Sequence, residues 1–116
     1  MNETSLTLLN SSIVTSYGTF TYQPLSLDEA KALVQEFQQT GKLIQSAIGH
    51  QSTADFLSAL LDFPVTINRI EFKQTTNDIA LIFKLKQRLP DRQILSREEM
   101  AAVGYEFGLL AKISEL

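Results

Sequence analysis

The tetrapeptide Ser26-Leu27-Asp28-Glu29 marks the point where the chain changes its hydrophobic period, and that change restricts the folds open to it. An N-cap serine hydroxyl accepts the third helical N–H, and a glutamate three residues on returns to the serine N–H, so the box predicts a helix start. Leu27, Ala30, Leu33, Val34 and Phe37 then recur at helical spacing, with Lys31, Gln35, Glu36 and Gln38 on the outer face. Gly41 predicts the stop, after Gln39 or Thr40. Upstream, Ser5 to Leu9 predicts a short strand that ends at Asn10. Phe20 to Gln23 predicts a second, terminated by Pro24, which lacks the N–H a central ladder needs. Ser11 to Thr19 is polar, with Gly18 in a turn.

Downstream, Lys42 to Ile48 predicts another short strand or an extended approach, and a second helix follows from Gln51 or Ser52 to Leu61, its inner stripe Ala54, Leu57, Leu60 and Leu61. Asp62-Phe63-Pro64 breaks it. Asn68 to Lys73 alternates, Ile70 and Phe72 against Arg69, Glu71 and Lys73. Ile79 to Lys86 alternates as well, and with a loop at 75–78 the two predict an antiparallel hairpin. Gln87 to Arg92 reads as a charged loop with a rigid point at Pro90. Ser96-Arg97-Glu98-Glu99 is a second capping box, leading to a short helix with Met100 and Val103 on its apolar face and Gly104 at its end. Tyr105, Phe107, Leu109, Ala111 and Ile113 alternate through a last strand. The expected fold is of the α/β (α+β) class: one domain over 1–116, a mixed β-sheet flanked by helices on one face.

At 116 residues the chain suits one core rather than two. It has no cysteine, which excludes disulfides, zinc–thiolate sites and cysteine nucleophiles. Its one histidine, without carboxylates at ligand spacing, gives no expected metal site and no expected cofactor. No apolar run is long enough for a membrane span and no signal-peptide pattern is present, so a cytoplasmic protein is expected. The net charge of −3 speaks against general binding to long nucleic acids. It conceals a basic stretch: between Asn68 and Arg97 seven basic residues face three acidic ones, a local +4. That stretch reads either as a solvated strand face or as an anion site suited to a small phosphorylated ligand.

The histidine, His50, follows Gly49 at the expected start of the second helix. A glycine turn there gives backbone freedom, and the free N–H groups of a helix N-terminus, with Ser52 and Thr53, can grip an anion beside the imidazole. Two plainer readings stand beside this one: a structural histidine, and Ser52 or Thr53 acting only as a helix cap. Arg88, at the end of the strand Ile79 to Lys86, offers a planar fork for phosphate oxygens or is a surface residue. Asp91 orients one of these groups or a ribose hydroxyl, or only turns the chain after Pro90. No nucleophile elbow and no glycine-rich phosphate loop is present. One His and one Arg suit cleavage of an RNA-type phosphodiester by its own 2′-hydroxyl. The substrate brings the nucleophile, and the protein aligns it, stabilises the phosphorane and protonates the departing 5′-oxygen.

Ser46 to Thr53, Asn68 to Lys73, Leu85 to Pro90 and Asn10 together resemble a family of small proteins of archaeal viruses, phages and bacterial mobile elements. Some of its members are type III anti-CRISPR ring nucleases, which degrade cyclic tetra-adenylate. The resemblance runs from about Leu6 to the last strand. It implies that His50 is the general acid, that Arg88 stabilises the scissile phosphate, and that Asp91 stands where well-studied members have an assisting glutamate. Asp91 is one methylene shorter, which puts full turnover in question. Asn10, Gly49, Gln51, Ser52, Thr53 and Arg69 are the implied substrate-binding positions. The resemblance also implies a homodimer with cyclic tetra-adenylate across its two-fold axis, no metal, and linear adenylates with a 2′,3′-cyclic phosphate as products. Two other functions stay open: a non-cleaving binder of cyclic oligonucleotides, and a structural or interaction protein of a virus or mobile element.

Overall fold

The computed structural model of the protein describes residues 4–10, 16–70, 72–86, 98, 102 and 104–115. Among these residues, β1 (Ser5–Leu9), β2 (Thr19–Leu25), α1 (Leu27–Gln39), β3 (Ile44–Ser46), α2 (Gln51–Leu61), β4 (Asp78–Leu85) and β5 (Tyr105–Ser114) follow in order. The five strands make one sheet, ordered β2-β5-β4-β1-β3. β1 is parallel to both β3 and β4, whereas β5 is antiparallel to β4 and β2. β5 is therefore the one reversed strand. The other four end at the same edge of the sheet, where α1 and α2 begin directly after β2 and β3.

β1 is an interior strand between β4 and β3, and its apolar run is explained by burial on both faces. Leu6 and Leu8 join Leu81 and Phe83 of β4 and Phe107 of β5 beneath the helices. The helices supply Ala30, Val34 and Phe37 from α1, and Ala54, Phe56, Leu57 and Leu61 from α2. On the opposite face Leu9, Ala80, Ile82 and Leu110 form a smaller cluster covered by Phe20, Ala47 and Phe72. Phe56 was not legible in the apolar stripe of α2, yet it anchors that helix. Its ring lies edge-on to Tyr105 at 5.4 Å and to Phe83 at 5.8 Å, at the sheet edge where α2 starts.

The capping box forms as expected. Glu29 N donates to Ser26 Oγ at 3.1 Å, and Ser26 N donates to Glu29 Oε1 at 2.9 Å. These bonds from Ser26 hold the Glu29 carboxyl below its ordinary pKa. Gly41, at φ 69°, turns the chain out of α1. Two expectations are corrected. Pro24 does not end β2: it pairs with Gly108 inside the strand, because β2 is an edge strand whose outward side needs no N–H donor. The described residues of Asn68 to Lys73 form no strand with β4. Both sides of β4 are taken by β1 and β5, and the nearby segment makes instead a parallel bridge, Ile67 with Ile48. The charged loop 87–92, residues 11–15, and the second capping box with Met100 and Val103 lie outside the described residues.

At the other end of the sheet a polar cluster forms around the buried Lys112 and Gln74. Lys112, 5% exposed, donates from Nζ to Ser16 Oγ at 3.1 Å and pairs with Glu115 Oε2 at 2.8 Å. Ser16 Oγ donates in turn to the Gln74 carbonyl at 2.8 Å, and Gln74 Nε2 donates to the carbonyls of Leu110 and Asp78 at 2.8 and 3.1 Å.

Candidate functional site

β3 ends at Ser46 and α2 begins at Gln51, so His50 is delivered by a four-residue turn at the edge where the parallel strands finish. The turn is held from two sides. Toward the sheet, Ala47 N donates to the Leu8 carbonyl at 2.9 Å. On the outer side the chain returns from α2 after the left-handed Asp62 (φ 51°), and Ser58 Oγ accepts from Val65 N at 2.8 Å. Residues 66–69 then run beside the turn. Ser46 Oγ donates to the Thr66 carbonyl at 2.7 Å, Asn68 N to the Ile48 carbonyl at 2.8 Å, Asn68 Nδ2 to the Ser46 carbonyl at 2.8 Å, and Arg69 Nε to the Gly49 carbonyl at 2.9 Å.

His50 is the N-cap of α2, with extended backbone angles (φ −127°, ψ 134°) and no capping bond from its side chain. Its carbonyl accepts the first intrahelical bond, from Ala54 N at 3.0 Å. Helix geometry leaves the N–H groups of Gln51, Ser52 and Thr53 without intrahelical partners, and no acidic side chain occupies the first turn. The imidazole is exposed and makes no hydrogen bond among the described residues. The histidine therefore stands beside a row of free donors at the positive end of a helix dipole.

Two details of the sequence reading change here. Gly49 has no positive φ, and an added Cβ would meet only Arg69 side-chain atoms at 3.6 and 3.9 Å. The turn thus does not require glycine for backbone freedom. Neither Ser52 nor Thr53 caps the helix, because the N-cap position belongs to His50.

The other expected residues fall as follows. Asn10 is exposed just beyond β1, at the same edge as the turn. Gln51 is exposed and donates from Nε2 to Asp55 Oδ1 at 2.7 Å. Thr53 is buried, so its backbone N–H is what it can offer a ligand, and Ser52 is half-buried. Arg69 is brought directly against the turn; its Nε is engaged, and nothing else among the described residues holds the guanidinium. β4 leaves the sheet at this same edge, where Lys86 N donates to the Gly104 carbonyl at 3.0 Å. Arg88 and Asp91 follow that exit and lie outside the described residues. Ser46 and Asn68, which fasten the turn, open two of the stretches that carry the resemblance, but the sequence assigns neither a role. Their signal was only the habit of short polar side chains to bond nearby backbone.

Among the described residues no three His, Asp or Glu side chains gather as metal ligands, and no helix is long and apolar enough to cross a membrane. A groove of about 290 Å³ between α1 and the β2–β5 side is lined by Leu25, Ala32, Leu33 and Leu109 with Glu29 and Glu36. Its two carboxylates disfavour an anion, which the His50 turn favours.

The chain is similar to proteins from a bacterium and from archaeal viruses and to one solved viral structure. The chain is 33% identical over 108 residues to "Uncharacterized protein YddF" of Bacillus subtilis (strain 168), covering 93% of this chain and 97% of the relative. It is 34% identical over 112 residues to "Uncharacterized protein ORF117" of Acidianus two-tailed virus, covering 93% of each. Protein 26 of a Sulfolobus islandicus filamentous virus is 30% identical over 91 residues, 78% of this chain and 73% of that one. The solved structure of B116 of Sulfolobus turreted icosahedral virus superimposes with a TM-score of 0.73 at 24% identity, over 92% of this chain and 98% of that chain, and shares the fold. The profile of the STIV B116-like family matches residues 6–107, and the chain belongs to that family.

Proposed function

We propose that the protein is a ring nuclease that cleaves cyclic tetra-adenylate without a metal ion, acting as a homodimer in the cytoplasm of a host cell and suppressing type III CRISPR signalling. The observation that carries this reading is the exposed, uncommitted imidazole of His50 at the N-cap of α2, with Arg69 against the same turn. A phosphate seated on the first-turn N–H groups lies next to a proton donor. The 2′-hydroxyl of the substrate gives up its proton to water as its oxygen attacks the adjacent phosphorus, the P–O5′ bond breaks, and His50 gives its proton to the departing 5′-oxygen. The products are linear adenylates ending in a 2′,3′-cyclic phosphate. Arg88 is the proposed partner for the phosphorane charge and Asp91 the assisting carboxylate. Asn10, Gly49, Gln51, Ser52, Thr53 and Arg69 are the proposed contacts to the ring.

The test is incubation of the purified protein with cyclic tetra-adenylate in EDTA, followed by separation of ligand and products. Cleavage to cyclic-phosphate products, lost in His50→Ala while binding persists, is the expected result. Full turnover by His50→Ala overturns the acid assignment. Intact ligand recovered with the wild-type protein converts the reading into that of a sequestering binder.

A further inference from the structure

The imidazole of His50 has no hydrogen-bond partner among the described residues, so its place is set by the backbone of residues 46–50. That backbone follows β3, the edge strand of the sheet beside β1. The carbonyls of Ser46, Ile48 and Gly49 all accept from the segment 68–69. Asn68 supplies two of these bonds, one from its backbone and one from its side chain, both 2.8 Å long. Ser46 answers from the other side: its hydroxyl donates to the Thr66 carbonyl at 2.7 Å and accepts from Ile48 N at 3.2 Å. The segment acts as a short irregular strand, stitched on by side chains where a regular ladder is missing.

We propose that Asn68 and Ser46 are positioning residues for His50, fixing the turn so that the imidazole meets the phosphate held by α2. This rests on the reading of His50 as the general acid. A misplacement of about 1 Å at a reacting group is enough to lower a rate about 100-fold. Asn68→Asp is the discriminating change. It keeps the shape and the backbone bond to Ile48, but sets a carboxylate oxygen, an acceptor, against the Ser46 carbonyl. Ser46→Ala removes the opposite stitch and serves if Asn68→Asp does not fold.

The experiment measures steady-state cleavage of cyclic tetra-adenylate by wild type, Asn68→Asp, Ser46→Ala and His50→Ala. It is paired with the proton–carbon NMR cross-peak of the imidazole, which is unambiguous because the chain has one histidine. Positioning predicts kcat lowered about 100-fold with KM unchanged, cooperative unfolding retained, and the His50 cross-peak displaced or broadened. Full kcat in both variants, with His50→Ala inactive, overturns the positioning inference and leaves the acid assignment standing. Full activity in His50→Ala overturns the acid assignment itself. If wild type does not cleave, the cross-peak decides: movement in both variants supports the stitch, and an unmoved peak overturns it.

Discussion

Tyr22 lies across Gly108, and the pair makes a prediction that changes sign with context. The ring is 45% exposed, and a Cβ added at Gly108 would sit 2.5 Å from two of its ring carbons and closer still to the phenolic oxygen. Gly108→Ala must therefore push the ring off the sheet. A fully buried aromatic side chain covers roughly 150–250 Å², so a ring a little over half buried covers about 100 Å². At about 25 cal/mol per Å² its loss costs about 2.5 kcal/mol as an upper bound. The contact of Lys84 Nζ with the ring, at 5.6 Å, goes with it. Against this, replacing a strand glycine by alanine returns roughly 0.5–1 kcal/mol of backbone entropy. The net expectation for Gly108→Ala is about 1.5–2 kcal/mol of destabilisation. In a Tyr22→Ala background there is no ring to displace, and Gly108→Ala should become stabilising by roughly 0.5–1 kcal/mol. Urea unfolding of the four proteins of this double-mutant cycle measures both values. Equal destabilisation by Gly108→Ala in the two backgrounds refutes the account, because the cost then lies in the strand and not in the ring.

Three further outcomes follow from other contacts. The hydrogen bond from Lys112 holds the Glu115 carboxyl below its ordinary value, so this pair stabilises the fold above the unfolded-state pKa and loses that effect as pH falls through the lower folded value. Glu115→Gln should thus be less stable than wild type at neutral pH and equal to it in strong acid; a gap that persists in acid counts against the pair. Gly18→Ala meets both a φ of +145° and a Cβ 2.5 Å from the Ser114 carbonyl and Lys112 Cε, and thermal or urea unfolding should show a loss of about 2–3 kcal/mol. Ser26→Ala removes the capping box and should cost about 1 kcal/mol, with the Glu29 carboxyl rising toward its ordinary pKa in an NMR titration; an unmoved Glu29 argues that the box does not persist in solution.

Local chemistry was legible in the sequence wherever one segment contains the whole cause. The Ser26 box, the stop at Gly41 and the bounds of α2 rest on neighbours within a turn or two, and all formed as read. Pairing was not legible, because it depends on distant strands. The alternation of Asn68 to Lys73 is real in sequence, but β1 and β5 occupy the flanks of β4 and leave no place for it. Pro24 is a strand breaker only in a central strand, and only the sheet order shows it at the rim. At the candidate site, His50 was found from its type and its place before a helix. The residue type of Gly49 suggests an unusual backbone that the turn does not have, and the stitches from Ser46 and Asn68 join positions about twenty residues apart, beyond the reach of periodicity.

The strand order also dictates when the molecule can assemble. β1 precedes the other strands of the sheet, yet its register partners are Ile44 to Ser46 and, on the other side, Asp78 to Ile82; Thr19 of β2 waits for Ser114. At roughly 5–20 residues per second of synthesis, the first two strands spend several seconds with unsatisfied edges. Contacts of such long sequence separation make closure slow relative to helix formation. A nascent chain arrested before residue 105 lacks β5, the strand that joins β2 to β4, and cannot complete the sheet. Until those partners emerge, the apolar β1 exposes unpaired backbone on both sides, the condition that chaperone cover relieves.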